Sequence, residues 1–294
     1  MPFLNRIYTQ LGFVLFLLLS MNYSYGAVEV IKHVSSNSDH DEQKAYYIVL
    51  LQLAIEKAEL KFGPAALQAL GTSMVYQRKL KSLNDGELDV MWAMTSEQRE
   101  QDALAVKIPI LKGLIGYRVM VIQDTKQHIL THELSTQQIK NMVALQGSDW
   151  TDTDILRANG FRVETTDWHN SLYKGVSKGL YDYLPRSILE PWAEMRRFRF
   201  NNLVVENQHL LYYPAALYYF VQKDNQALAQ RIEYGLTQAL DDGSFDRLFY
   251  NYPAHQEALS KGKLNSRVVH TLANPFLPKS AALTDKRLWY QLAQ

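Results

Sequence analysis

The sequence predicts an α/β protein of two lobes, each a mainly parallel sheet flanked by helices, with the chain crossing between them twice. Strands and amphipathic helices alternate along the chain, and the alternation restarts after residue 116. In addition, 294 residues with 47% apolar side chains exceed what one core usually fills. The expected boundaries are 27–118 and 220–294 for lobe 1 and 119–219 for lobe 2.

The alternation begins with a strand at 28–33 and a polar loop at 35–41. A helix follows, in which Tyr47, Leu50, Leu51, Ala54, Ile55 and Ala58 recur at spacings of three and four and form one apolar stripe. A strand at 66–70 leads to a helix stopped by Asn84, Asp85 and Gly86, and then to a strand at 88–92. That strand ends in a polar turn, Ser96 to Arg99, and a second extended run is expected over 108–116. The run 116–123 crosses to the second lobe, where a helix at 135–142 precedes a strand at 143–148. Thr151, Asp152 and Thr153 open the next helix with capping residues, and Gly160 closes it. A strand at 162–166, a helix at 171–178 and a strand at 181–186 complete the lobe. The run 212–222 returns to helices at 226–240 and 244–250.

Residues 1–26 stand apart from this pattern. An apolar run over 11–19 follows Arg6 and gives way to polar and small residues through Gly26. A spanning helix needs about 20 apolar residues, so the run reads as an export signal peptide cut near Gly26 rather than a membrane anchor. The mature chain is then expected in the periplasm. It has no cysteine, so it must rest on its hydrophobic core without disulfides or a lipid anchor. The formal charge of +1 falls to zero when Arg6 leaves with the leader. A near-neutral chain argues against nucleic acid or an anionic membrane as partner, since both are bound through clustered basic residues.

Several segments together resemble the bacterial extracellular solute-binding proteins of the family-three type, whose best-known members bind polar amino acids. They are residues 83–89 with the turn 96–99, residues 145–148, residues 179–182, and residues 221–225 leading to 242–246. Elements near Trp150, Leu184-Pro185-Arg186 and 274–278 are similar to an uncharacterised subgroup of such exported proteins. The resemblance implies the two-lobed periplasmic binding protein fold of type II, with a solute held in the cleft as the lobes close on their hinge. It also implies a monomer that serves an ABC transporter membrane subunit or a membrane sensor.

The same resemblance implies a site. Arg99 takes the place of the arginine that forks onto a ligand carboxylate, a task that suits the planar guanidinium. Ser148, with Asp149 beside it, sits where the second lobe offers donors to the same group, near the positive end of the helix at Thr151. The approach to Arg99, which includes Trp92 and Thr95, is two residues shorter than usual, and the family's amine-binding aspartate falls at Ser187. Glu190, one helical turn on, could replace that carboxylate or serve as a cap. The solute is expected to be anionic, amino-acid-like or a carboxylate; if Arg186 faces the cleft, two arginines favour one with more than one acidic group, and otherwise Arg186 pairs with Glu190. Trp92 and Trp150 could stack on the ligand, although plain core packing explains Trp92 equally well.

Nothing in the sequence calls for a cofactor or a metal. His128 and His132 have the spacing of a helical metal pair but lack a third ligand. No Gly-x-Ser-x-Gly elbow, Walker loop, Gly-x-Gly-x-x-Gly or His-Glu-x-x-His occurs, so no enzyme is expected from motifs. A periplasmic dehydratase-like activity on the same fold is the enzymatic alternative. It requires a carboxylate in the closed cleft whose pKa is raised by burial.

Overall fold

The structure, a computed structural model, describes residues 28–34, 42–71, 74–281 and 283–292. The leader expected over 1–26 and the loop expected over 35–41 lie outside the described residues.

The first sheet joins five strands in the order β2-β1-β3-β11-β4. These are β1 (Glu29–Val34), β2 (Ala65–Leu70), β3 (Val90–Met94), β4 (Leu104–Val106) and β11 (Leu217–Val221). β1 pairs in parallel with both β2 and β3. The helix Glu42–Phe62 between β1 and β2 buries the predicted stripe, with Leu50, Leu51, Ala54 and Ala58 fully shielded. It stops at Gly63, which adopts φ +82°, and Pro64 prevents its continuation. β3 lies at the centre and is buried on both faces, which is why it reads as an unbroken apolar run rather than an alternating one.

The second lobe is built on β5 (Tyr117–Gln123), β6 (Val143–Gly147), β7 (Arg162–Thr166), β8 (Leu184–Ser187), β9 (Leu203–Val205), β10 (His209–Tyr212) and β12 (Val268–Thr271). One sheet runs β12-β10-β5-β8, with β9 also on β5. β6 and β7 form a parallel pair that touches this sheet through the bridge from Ala144 to Tyr183. A separate small core of Val121, Leu145, Leu172, Tyr173, Val176, Leu184 and Leu203 lies beneath.

Each sheet keeps one main strand direction, as expected, with a single strand reversed: β11 runs antiparallel to β3 and β4, and β5 runs antiparallel to β8, β9 and β10. Two expectations need correction. The run 108–116 is a series of turns, with the strand placed earlier, at β4. Pro109 offers no N–H to a ladder, and Lys112 and Gly113 adopt φ of 47° and 74°, so extension cannot continue there. The tail does not stay in the first lobe with the rest of 220–294. After the helix Pro253–Gly262 it returns to the second sheet, where β12 pairs in parallel with β10.

Candidate ligand-binding site

Arg99 lies on the short helix Glu97–Asp102, which Ser96 caps by accepting the Arg99 N–H at 3.2 Å. Its side chain turns into the junction between the lobes. Nη1 donates to the Met94 carbonyl at 2.8 Å, and Nη2 donates to the Asp149 carbonyl at 3.2 Å. The guanidinium also sits 4.1 Å over the ring of Tyr76, and the Tyr76 N–H donates to Asp149 Oδ2 at 3.4 Å. Asp149 therefore touches two elements of the first lobe from the loop after β6. Among the described residues, Arg99 forms no ion pair. Burial lowers its pKa from the ordinary arginine value, and Tyr76 and Asp149 oppose the shift only in part.

Trp150, the next residue, covers Gly147 so closely that a Cβ there would lie 2.4 Å from the indole Cε2. The Arg186 guanidinium lies 4.7 Å from the Trp150 ring. Arg186 is buried and fully paired. Nε and Nη2 donate to the two carboxylate oxygens of Glu194 at 2.8 and 2.6 Å, and Nη2 lies 3.0 Å from Glu190 Oε2. The Tyr173 hydroxyl donates to Glu194, and Glu190 accepts the Ser187 N–H at 2.9 Å. Burial raises the Glu190 pKa; Arg186 opposes this and Glu194 adds to it. The helix-start salt bridge, not an arginine free for a ligand, describes Arg186.

A neighbouring trio was not anticipated from sequence. Arg118 on β5 is buried, donates to the carbonyls of Ile115 and Pro185, and lies 3.2 Å from Asp152 Oδ1. The Tyr213 hydroxyl donates to the same carboxylate. Arg118 Nε and Gln146 Oε1 are buried without a hydrogen-bond partner. One signal for the trio was present, a charged residue second in the otherwise largely apolar run Tyr117–Gln123. Asp152 looked like an ordinary first-turn acid.

The other predicted residues have partners of their own. Trp92 is buried against Tyr47, with ring centroids 5.3 Å apart, so core packing accounts for it. Thr95 is buried and donates to Glu100 Oε1 at 2.8 Å. Ser187 is buried and donates to the Leu114 carbonyl at 3.0 Å. Ser148 is exposed and donates to Asp167. His128 and His132 are exposed on turns, not on a helix, and no group of three His, Cys, Asp or Glu suited to a metal occurs among the described residues.

No protein-family model matches the chain, and no curated protein sequence matches it. Solved structures do. An ancestral arginine-binding protein bound to arginine superposes with a TM-score of 0.57 at 14% identity, covering 76% of this chain and 98% of that one. A histidine kinase sensor domain with similarity to periplasmic binding proteins gives 0.55 at 16%, with coverage of 77% and 96%. The chain has the two-lobed periplasmic binding protein fold. A putative L-cystine ABC transporter protein from Listeria monocytogenes is similar in the same way, at 0.53 and 14%, covering 78% and 98%. In this fold the Arg99–Asp149 contact is one between lobes. No helix among the described residues is long and apolar enough to cross a membrane.

Proposed function

We propose that the protein captures a small, amino-acid-like solute between its lobes and holds the solute's carboxylate on Arg99. One observation carries this reading: a partly buried guanidinium at the lobe junction meets two carbonyls and a tyrosine ring but, among the described residues, no carboxylate. Burying an unpaired cation is costly, and a ligand carboxylate would relieve that cost.

The second pole of the ligand follows from charge balance. Around Trp150 the carboxylates of Asp152, Glu190 and Glu194 outnumber the guanidiniums of Arg118 and Arg186 by one. Arg186 therefore gives no support to a second acidic group, and the surplus negative charge suits an ammonium near Glu190. This narrows the anionic solute expected from sequence to a zwitterion. Asp149 and Trp150 close over it, while Ser148, Ser187, Thr95 and Trp92 shape the surrounding elements.

The chain acts without catalysis, in the periplasm after loss of residues 1–26, as a monomer. The cystine-transporter neighbour supports service to an ABC transporter membrane subunit, and the sensor domain supports service to a membrane receptor. The dehydratase-like alternative draws support from Glu190, a half-buried carboxylate with a raised pKa that could deliver a proton.

A thermal-shift screen against amino acids, dicarboxylates, aromatic acids and polyamines tests the reading, because a ligand that prefers the folded state raises Tm by mass action. Amino acids should stabilise the wild type and not Arg99→Ala. A dicarboxylate or polyamine as the sole hit would refute the zwitterion. Turnover of a prephenate-like acid that Glu190→Gln abolishes would establish the enzyme instead.

A further inference from the structure

The two crossings near 116 and 214 are not the only links between the lobes. Residues 263–292 form a third, and each of its stations is tied by named bonds. β12 pairs along β10, and there His270 Nε2 lies 2.9 Å from His209 Nδ1. Because His209 Nε2 meets the Thr131 carbonyl at 2.8 Å, that nitrogen must carry the proton, and the His270 Nε2–H donates to His209. At the end of β12 the Asn159 side chain grips residue 273 from both sides. Its Nδ2 donates to the Ala273 carbonyl at 2.7 Å, and the Ala273 N–H donates back to Oδ1 at 3.0 Å. All of these anchors belong to the second lobe.

Three residues later the chain is fastened to the first. The Phe276 carbonyl accepts the Glu97 N–H at 3.2 Å, in the first turn of the helix that carries Arg99. Ser280 Oγ donates to Glu100 Oε2 at 3.2 Å and accepts from Lys107 Nζ at 2.7 Å. Glu100 in turn holds Thr95, so the tail grips both ends of the segment that aims Arg99. Asn274, between the two anchorages, donates to the Pro214 carbonyl at the return crossing. The tail finishes on the first crossing, where the Tyr290 N–H donates to the Lys112 carbonyl and Trp289 lies against Gly113, 2.4 Å from where a Cβ would stand.

We propose that residues 263–292 are a strap that limits opening of the lobes and positions the Arg99 helix. The geometry sets the limit. The three residues from 273 to 276 span at most about 11 Å when fully extended, so wider separation of Asn159 from Glu97 must break the grip at one end. The hinge alone imposes no such bound. Closure is thereby favoured before any ligand arrives, and the guanidinium is held ready at the junction. The strap needs only the observed contacts; its effect on a ligand rests on Arg99 being the clamp.

The absence of cysteine makes the test direct, since two introduced thiols carry the only spin labels. Arg78 and Glu164 are exposed, one on each lobe. Pulsed dipolar spectroscopy on Arg78→Cys/Glu164→Cys should give one narrow distance distribution in the ligand-free protein. Inserting six Gly-Ser residues between Ala273 and Asn274 keeps every bond while slackening the tether. It should add a population longer by about 10 Å or more. A chain ending at Lys263 should do the same, and circular dichroism on both variants checks that the lobes remain folded. An unchanged distribution in the slackened chain overturns the proposal, and so does a wild type that already populates the long distances. None of these readings requires a ligand, so failure of the zwitterion reading would show separately, as the absence of any stabilising amino acid.

Discussion

Two arginines that look alike in sequence end in opposite electrostatic situations. Arg186 meets a bidentate carboxylate and a second acid, whereas Arg99 meets carbonyls and a ring. Replacing Arg99 with alanine should weaken solute binding by about 10- to 100-fold, the order expected when charge-assisted hydrogen bonds are lost, as read by isothermal titration. Lysine should not restore it, because a point charge cannot fork onto a carboxylate. For Arg186 the expected effect is on stability. Glu194→Ala leaves a buried guanidinium short of its bidentate partner, at a cost of about 3 kcal/mol or more, and should lower Tm by roughly 10 °C in a calorimetric scan. Glu194→Ala with an unchanged Tm would contradict the pairing. The turn that carries Arg99 was legible because it follows a strand and opens on a capping serine. Arg118 and Tyr213 were not, because β5 and the return crossing meet Asp152 only in three dimensions.

At the scale of elements, helices and strands followed periodicity where one face is buried and the other is wet. The stripe of the helix Glu42–Phe62 is such a case. Tight sites rest on single residues within elements. Gly147 ends β6 against Trp150, and Gly147→Ala should push the indole off its seat on that strand and alter its contact with Arg186. A red shift of tryptophan emission with weaker binding would mark this, and an unchanged spectrum would show that the ring adapts. The helix Pro253–Gly262 carries a second local device. His255 is buried against Tyr46, Phe249 and Tyr252, its Nδ1–H donates to the Phe249 carbonyl, and burial lowers its pKa to about 4. As pH falls below about 6.5 the unfolded chain takes up this proton first. The His255 contribution to stability is therefore complete above that pH, declines between 6.5 and 4, and changes no further below 4. Tm measured across this window should fall less steeply in His255→Phe than in the wild type.

At the scale of the molecule, the two lobes, the crossings and the order of the motifs could be read along the chain, because a strand–helix alternation that stops and restarts reports a second sheet. The one reversed strand in each sheet could not, since a strand's own sequence does not say which neighbour it will pair with. The tail was the least legible part. Residues 263–292 have weak periodicity, and their meaning lies in bonds to Asn159, Glu97 and Lys112, which are far away in sequence. Deletion after Lys263 should accordingly lower Tm as well as widen the distance distribution, since it removes β12 and the Trp289 and Tyr290 contacts; a Tm equal to wild type would deny the tail any structural weight.

What the sequence by itself determined is local and periodic: the α/β class, the amphipathic helices, the turn that ends in Arg99 and the near-neutral, cysteine-free composition. Each follows from spacing, capping or composition, which act between residues close in the chain. Only the tertiary structure decided which arginine is paired, which predicted residues belong to the core, and that the tail returns to bind both lobes. Those outcomes depend on which charges are desolvated together and which carbonyls come within hydrogen-bond reach, and neither quantity exists until the lobes have packed.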